Sequence, residues 1–220
     1  MLKCTNLTII DANVVGGLYV ENGTLDLQGV KVSGSRCITA CDNSVCNLDS
    51  NCVIEGDGTD AAVVVWNGTL NTAADISCAG ENYAISGNGT VTGDITINGG
   101  KITSAEDSAI YLPHGGTCVI NAGEIEGKDG IYQKSGNLIV NGGSIKGNGD
   151  AEYKYSGNGS NAMGYGIVVE FTNYPGGLPN LTVNGGEISS VNKEPIGYFV
   201  SPKLDGQDVD QLVKEHVTLA

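Results

Sequence analysis

The chain has 220 residues, 34 of them Gly and only five Pro, with the glycines at fixed places between apolar pairs, which excludes collagen and a disordered linker. A formal charge of −14 leaves no excess of cations to displace counterions from nucleic acid or to dock on an anionic membrane. No apolar run reaches the length of a membrane span, and the stretch at 7–20 is interrupted by Asp11 with Lys3 as its one basic flank, so no export signal is read.

An eight-residue phrase recurs along the chain at residues 7–14, 25–32, 46–53, 95–102, 118–125, 138–145 and 181–188. Its clearest copy is Leu181-Thr182-Val183-Asn184-Gly185-Gly186-Glu187-Ile188, apolar at the first, third and eighth places with Asn-Gly-Gly between them. A second recurring element accompanies the phrase: Leu18-Tyr19-Val20, Ile38-Thr39-Ala40, Val63-Val64-Val65, Ala84-Ile85-Ser86, Ile110-Tyr111-Leu112, Ile131-Tyr132-Gln133 and Ile167-Val168-Val169. Asn22-Gly23, Asn67-Gly68 and Asn88-Gly89 between the two elements are turn dipeptides that accept positive φ. The register is weakest between residues 65 and 91, where Leu70 and Ile76 fit only with a one-residue slip.

A period in the low twenties marks a solenoid, whose units are too small to bury their own faces and must stack. Short strands of period-two alternation place one side chain inward and the next outward, with β-branched residues suited to the pleat. Parallel crossovers are right-handed almost without exception. The expected fold is all-β, a right-handed parallel β-helix of about eight coils, ending in a short C-terminal helix or tail. Residues 1–200 form the solenoid and residues 201–220 the tail. An insertion at 147–165 and a shorter excursion at 172–179 break the rhythm, and such loops collect on one side of a solenoid, often the binding side.

The tail differs in kind. Asp208-Val209-Asp210-Gln211 resembles a capping box, and Val209, Leu212, Val213 and Val217 fall on one helical face, expected to cap the last coil or dock on a partner. The seven cysteines include no Cys-x-x-Cys pair, and the cluster Cys37, Cys41, Cys46 and Cys52 matches no zinc module, so reduced structural thiols and no metal are expected. His114, after Pro113 at a turn, reads as a surface residue.

The outward place of the second element is the most informative. Val64, Ile85, Tyr111, Tyr132 and Val168 stack there as an apolar ladder at the coil spacing, and a contiguous exposed ladder marks an interface unless the insertion or the tail covers it. On the loops, Tyr153, Tyr155, Tyr165 and Tyr174 are the candidates for contact with a glycan.

With the Asn-Gly-Gly-x-Ile and Gly-Ile-Tyr phrases in place, residues 5–200 resemble the pectate-lyase-like right-handed β-helix superfamily, closest in style to glycine-rich phage and gut-bacterial surface proteins. The resemblance implies the fold, not an activity. The hydrolases of that superfamily carry an Asp-Asp pair, a Gly-His-Gly and an Arg-Ile-Lys, of which this chain has none; its lyases hold calcium with several Asp beside an Arg base, whereas Arg36 is the only arginine here, with no convergent acidic set nearby in sequence. Carboxylate pairs such as Asp150 with Glu152, or Glu170 with a loop acid, can be drawn. The expectation is a non-enzymatic structural and interaction protein with no catalytic residue and no cofactor. Its first setting is a bacteriophage virion, as a capsid-decorating or fibre-like subunit that contacts a second copy or the shell and meets host glycans. A carbohydrate-binding adhesin of a bacterial surface is the alternative, and a polysaccharide lyase or hydrolase the third. Neither nucleic acid nor membrane is an expected partner.

Overall fold

A computed structural model describes the backbone of residues 2–220 and the side chains from Asn6 onward. The chain is a parallel β-helix whose coils present three strand faces in turn. The first face holds, among others, strands Ile38–Cys41, Val63–Trp66, Ile110–Leu112, Ile131–Gln133 and Ile167–Phe171. The second includes Val45–Leu48, Thr69–Thr72, Asn137–Val140 and Asn180–Val183, and the third Lys31–Gly34, Val53–Gly56, Asp75–Cys78 and Ser144–Gly147. Where the turn between two faces is gentle a single strand bends round it, as Leu18–Gln28 does from the first face to the second and Thr117–Gly127 from the second to the third.

The apolar places of the repeats become columns in register. On the first face Leu18, Ile38, Val63, Ile85, Ile110, Ile131 and Ile167 pair rung to rung and are fully buried. On the third, Val32, Ile54, Ile76, Ile102, Ile125 and Ile145 do the same. Each such side chain is worth about 1.5–3 kcal/mol relative to exposure. Leu70 pairs with Cys46 and Ile95, so the weak stretch of the repeat keeps its place in the second-face column. Cys37, Cys41, Cys52, Cys78 and Cys118 are buried free thiols, and Cys46 takes the inward place between Leu25 and Leu70. Burial pushes the Cys37 thiol up to about 11.

Asn-Gly-Gly serves the corner between the second and third faces. The amide of Asn121 donates to Asn98 Oδ1, Asn141 to Asn121 and Asn184 to Asn141, each at 2.9 Å, so these four corners are joined in one chain. Gly143 at φ +81° occupies the left-handed region, and a Cβ there would meet the Gly123 carbonyl oxygen at 2.6 Å. Only Gly satisfies both conditions.

One outward assignment needs correction. Ile85 pairs with Val63 and Ile110 and is wholly buried in the core, while Ser86 pairs with Val64 and Tyr111 and takes the outward place. The match of Ala84-Ile85-Ser86 to its neighbours was one residue out of step, and a one-residue slip exchanges the two faces of a strand.

The tail also departs from a simple amphipathic helix. Helix α1, Val209–His216, starts on Asp208, whose carboxylate accepts from Gln211 N at 3.0 Å. Leu212 is buried in the core at the last coil, Val213 is half-buried and Val209 stays exposed. Val217 lies in strand Val217–Leu219, which pairs in parallel with Asn180–Val183 and adds a rung to the second face. The tail therefore caps and extends the solenoid. No helix of the described residues is long and apolar enough to cross a membrane.

Candidate functional site

The first face is the one whose outside is covered. The insertion at 147–165 leaves the third face and folds across the outward ladder, burying Tyr111, Tyr132 and Val168 with its own Met163 in a second apolar cluster. The ladder is thus a core between strand face and insertion, not an exposed interface, and Val64 too is largely buried.

Polar anchors determine where the insertion lies. Asp129, fully buried, accepts backbone N–H from Gly164 (2.7 Å), Tyr165 (3.1 Å) and Met163 (3.2 Å). Burial pushes its carboxyl up to about 6 although those three donors pull the other way. Lys134 and Glu170, both fully buried, form an ion pair at 3.3 Å. Tyr132 OH donates to Glu170 Oε2 at 2.6 Å, Tyr153 OH to Oε1 at 3.4 Å, and Lys134 Nζ to the Ser156 carbonyl at 2.8 Å. The Lys134 ammonium also faces the rings of Tyr132 and Tyr174, 5.5 Å from each centroid. Burial pulls the Lys134 pKa down, opposed by the Glu170 charge. With carboxylate, carbonyl and rings around it, this cation is satisfied and serves to pin the insertion to the ladder.

Beside the pinned insertion the first face stays open as a cleft of about 580 Å³. Its floor is the outward column at Val64 and Ser86. Turns entering the face supply one wall, with the ion-paired Arg36 and Asp60, Asn82 and Tyr83; turns leaving it supply the other, with Trp66, Asn88 and Tyr174. Trp66, the single tryptophan, is 40% exposed. Among the described residues lining the cleft, Asp60 is the one carboxylate and Arg36 the one cation, and they neutralise each other. An aromatic surface, amides and hydroxyls without free charge suit a polyhydroxylated neutral ligand.

The expected contact tyrosines divide. Tyr174 lines the cleft and donates to the Gly157 carbonyl at 2.8 Å. Tyr153 stacks on Phe199 with centroids 4.5 Å apart, Tyr165 meets the same ring edge-on at 5.7 Å, and Tyr155 is half-buried outside the cleft lining. Neither drawn carboxylate pair forms a site: Glu170 is bound to Lys134, and Glu152 is an exposed partner of Lys193 at 3.0 Å. His114 is buried, not superficial; burial draws its pKa down to about 4, and its Nδ1 has no partner beneath Gly87. Trp66, Tyr83 and the Arg36–Asp60 pair were missed. The signal for Trp66 was present, since it follows the inward Val65 and therefore points out beside Val64. The Arg36–Asp60 pairing spans 24 residues, one coil, and follows only from the exact stacking. Comparisons with protein-family models, with curated proteins and with solved structures returned no match.

Proposed function

We propose that the protein is a non-catalytic interaction protein that holds a glycan in the cleft on its first face. The observation that carries this reading is the cleft itself: an exposed Trp66 on one wall, Tyr83 opposite, and the amides of Asn82, Asn88 and Asn158 around a floor without free charge. Indole and phenol faces stack on the C–H surface of sugar rings, while amides both donate to and accept from hydroxyls. Binding is favoured over hydrolysis because glycoside cleavage uses two carboxylates facing across the bond, and the one carboxylate lining this cleft is already paired with Arg36. The rod serves as a spacer that presents the cleft. A phage virion is the proposed setting and a bacterial surface the other; finding the protein by peptide mass spectrometry in purified particles, or in a cell-surface fraction, separates them.

Self-association through the ladder loses its support, because Tyr111, Tyr132 and Val168 are occupied by the insertion. A Tyr111→Asp, Tyr132→Asp variant would strip the insertion from the first face whether or not copies associate. The test of the glycan reading is a broad immobilised panel probed with the wild type and with Trp66→Ala. Retention on at least one glycan, lost in the variant, is expected. No retention on any member, or retention unchanged by the variant, contradicts it.

A further inference from the structure

The cleft is blocked at one end. Three tyrosines from its three sides hold the tip of the insertion as a bar across it. Tyr83, on the entering wall, accepts from Ser160 N at 3.2 Å; Tyr111, on the floor, accepts from Gly159 N at 3.0 Å; Tyr174, on the leaving wall, donates to the Gly157 carbonyl at 2.8 Å. The bar is tied to its floor sideways as well, with Tyr83 and Tyr111 stacked at 4.8 Å between centroids and the Tyr111 and Tyr174 hydroxyls 3.3 Å apart. Asp107, its carboxyl held above the usual range by burial, bonds the Ser160 hydroxyl and fixes the entering end. Beyond the bar the outward column continues as Tyr132 and Val168, both fully buried. Toward the first coils no insertion crosses the face, since Val15 to Val63 are linked by short turns and strands only. Thr39, next to Val64 in the outward column, is buried outside the cleft lining, so a chain leaving the cleft on that side passes above it.

We infer that this cleft receives the end of a neutral glycan chain and cannot bind along its interior. The inference rests on the glycan reading and narrows it. A chain lying along the rod above Val64 and Ser86 meets the Tyr111 level after two coil steps, roughly 10 Å, and can go no further. That length accommodates about two sugar rings, the first over Ser86 in the closed end against Tyr111 and Tyr174, the second over Val64 beside Trp66. The Arg36–Asp60 pair leaves the cleft without net charge, so a carboxylated sugar would find no unpaired cation, and the net charge of −14 repels a polyuronate. The tyrosine hydroxyls facing the bar are occupied by backbone partners, so discrimination at the closed end is by shape and stacking as much as by hydrogen bonds.

The experiment is titration calorimetry of the full chain with linear neutral gluco-, galacto-, manno- and xylo-oligosaccharides of two to eight units. Cyclic glucans and oligogalacturonates are run beside them. For the series that binds, affinity per mole of chain should be independent of length from three units upward, because each chain carries one competent end. Cyclic members should fail, oligogalacturonates should bind at least tenfold more weakly, and Trp66→Ala should weaken every positive by at least tenfold. Affinity that climbs in proportion to chain length, or a cyclic glucan that binds as well as its linear counterpart, overturns end recognition and leaves the glycan reading standing. Preference for oligogalacturonates overturns the neutral class. Absence of binding by every member at 10 mM, roughly the weak end of measurable affinity, overturns both the inference and the reading beneath it. Borohydride reduction of a positive then assigns the end: lost affinity identifies the reducing end, retained affinity the other.

Discussion

The second and third faces and the outside of the first are made by the same coils but obey different rules. Along the former two, each coil repeats its predecessor, the inward columns through Leu25 and Val32 are Leu, Ile, Val and Cys, and Asn98, Asn121, Asn141 and Asn184 tie corner to corner at 2.9 Å. On the outside of the first face the repeat stops mattering. The outward column reads Thr39, Val64, Ser86, Tyr111, Tyr132, Val168, and an insertion without regular strands is fixed over half of it by Asp129, Lys134 and Glu170. Periodicity builds a rod, and the departure from periodicity builds the site.

That contrast can be broken at its strongest point. Lys134→Ala leaves the Glu170 carboxylate buried without its cation and is expected to cost about 3–5 kcal/mol in urea unfolding. The insertion should exchange its amide hydrogens faster while the third-face strands keep their protection. Lys134→Met combined with Glu170→Gln should cost less than the single Lys134→Ala change. Uniform loss of protection along the rod would show that the insertion is not a separately pinned element.

On the periodic side, Ile125→Ala opens a cavity in a filled column and is expected to cost about 2–5 kcal/mol. Its outward neighbour Glu124→Ala should change stability by about 0.5 kcal/mol or less. Gly143→Ala must take positive φ against the Gly123 carbonyl and should cost about 1–2 kcal/mol, with Asn-corner neighbours losing protection first.

A pH dependence separates the two regions further. Asp129 has its folded pKa raised to about 6 by burial, so the folded state binds the proton more tightly than the unfolded chain. Its contribution is therefore full below about pH 4, the ordinary aspartate range, and lost as pH rises through about 6. Asp107, also raised by burial, acts in the same direction. His114, drawn down to about 4 by burial, gains stability as pH rises over the same range and opposes the two aspartates. The quantity to read is therefore the difference between proteins: between pH 4 and pH 7 the wild type should lose more unfolding free energy, or gain less, than Asp129→Asn. The same pH dependence in wild type and Asp129→Asn, or a steeper loss in the variant, contradicts the assignment. Smallest in stability is Trp66→Ala, within about 0.5 kcal/mol of wild type because the side chain is partly exposed on a wall, while it removes glycan retention.

What could be read in the sequence follows the same division. The Asn-Gly-Gly corners, the parallel columns, the insertion and the Asp208 cap were all legible because each is a local pattern repeated or bounded by turn residues. The slip at Ile85 shows the limit: without a full apolar triplet, Ala84-Ile85-Ser86 offers two registers, and only stacking on Val63 and Ile110 selects one. The ladder of Tyr111, Tyr132 and Val168 was visible as a column, yet whether solvent or Met163 faces it depends on the path of the insertion. That path is set by contacts such as Asp129 to Gly164, 35 residues apart, and Tyr83 to Ser160, 77 apart. Trp66 was readable from its place after Val65, but its role emerges only when Tyr83, Tyr174 and the Gly157–Gly159 tip arrive beside it.

Because Trp66 is the single tryptophan and stands in the cleft wall, its emission reports on the site alone. The most direct measurement is intrinsic fluorescence during titration with a neutral oligosaccharide retained on the panel. A saturable shift in Trp66 emission whose midpoint matches the calorimetric affinity is the predicted result. Saturable binding by calorimetry with an unchanged Trp66 signal would place the ligand elsewhere and contradict the account.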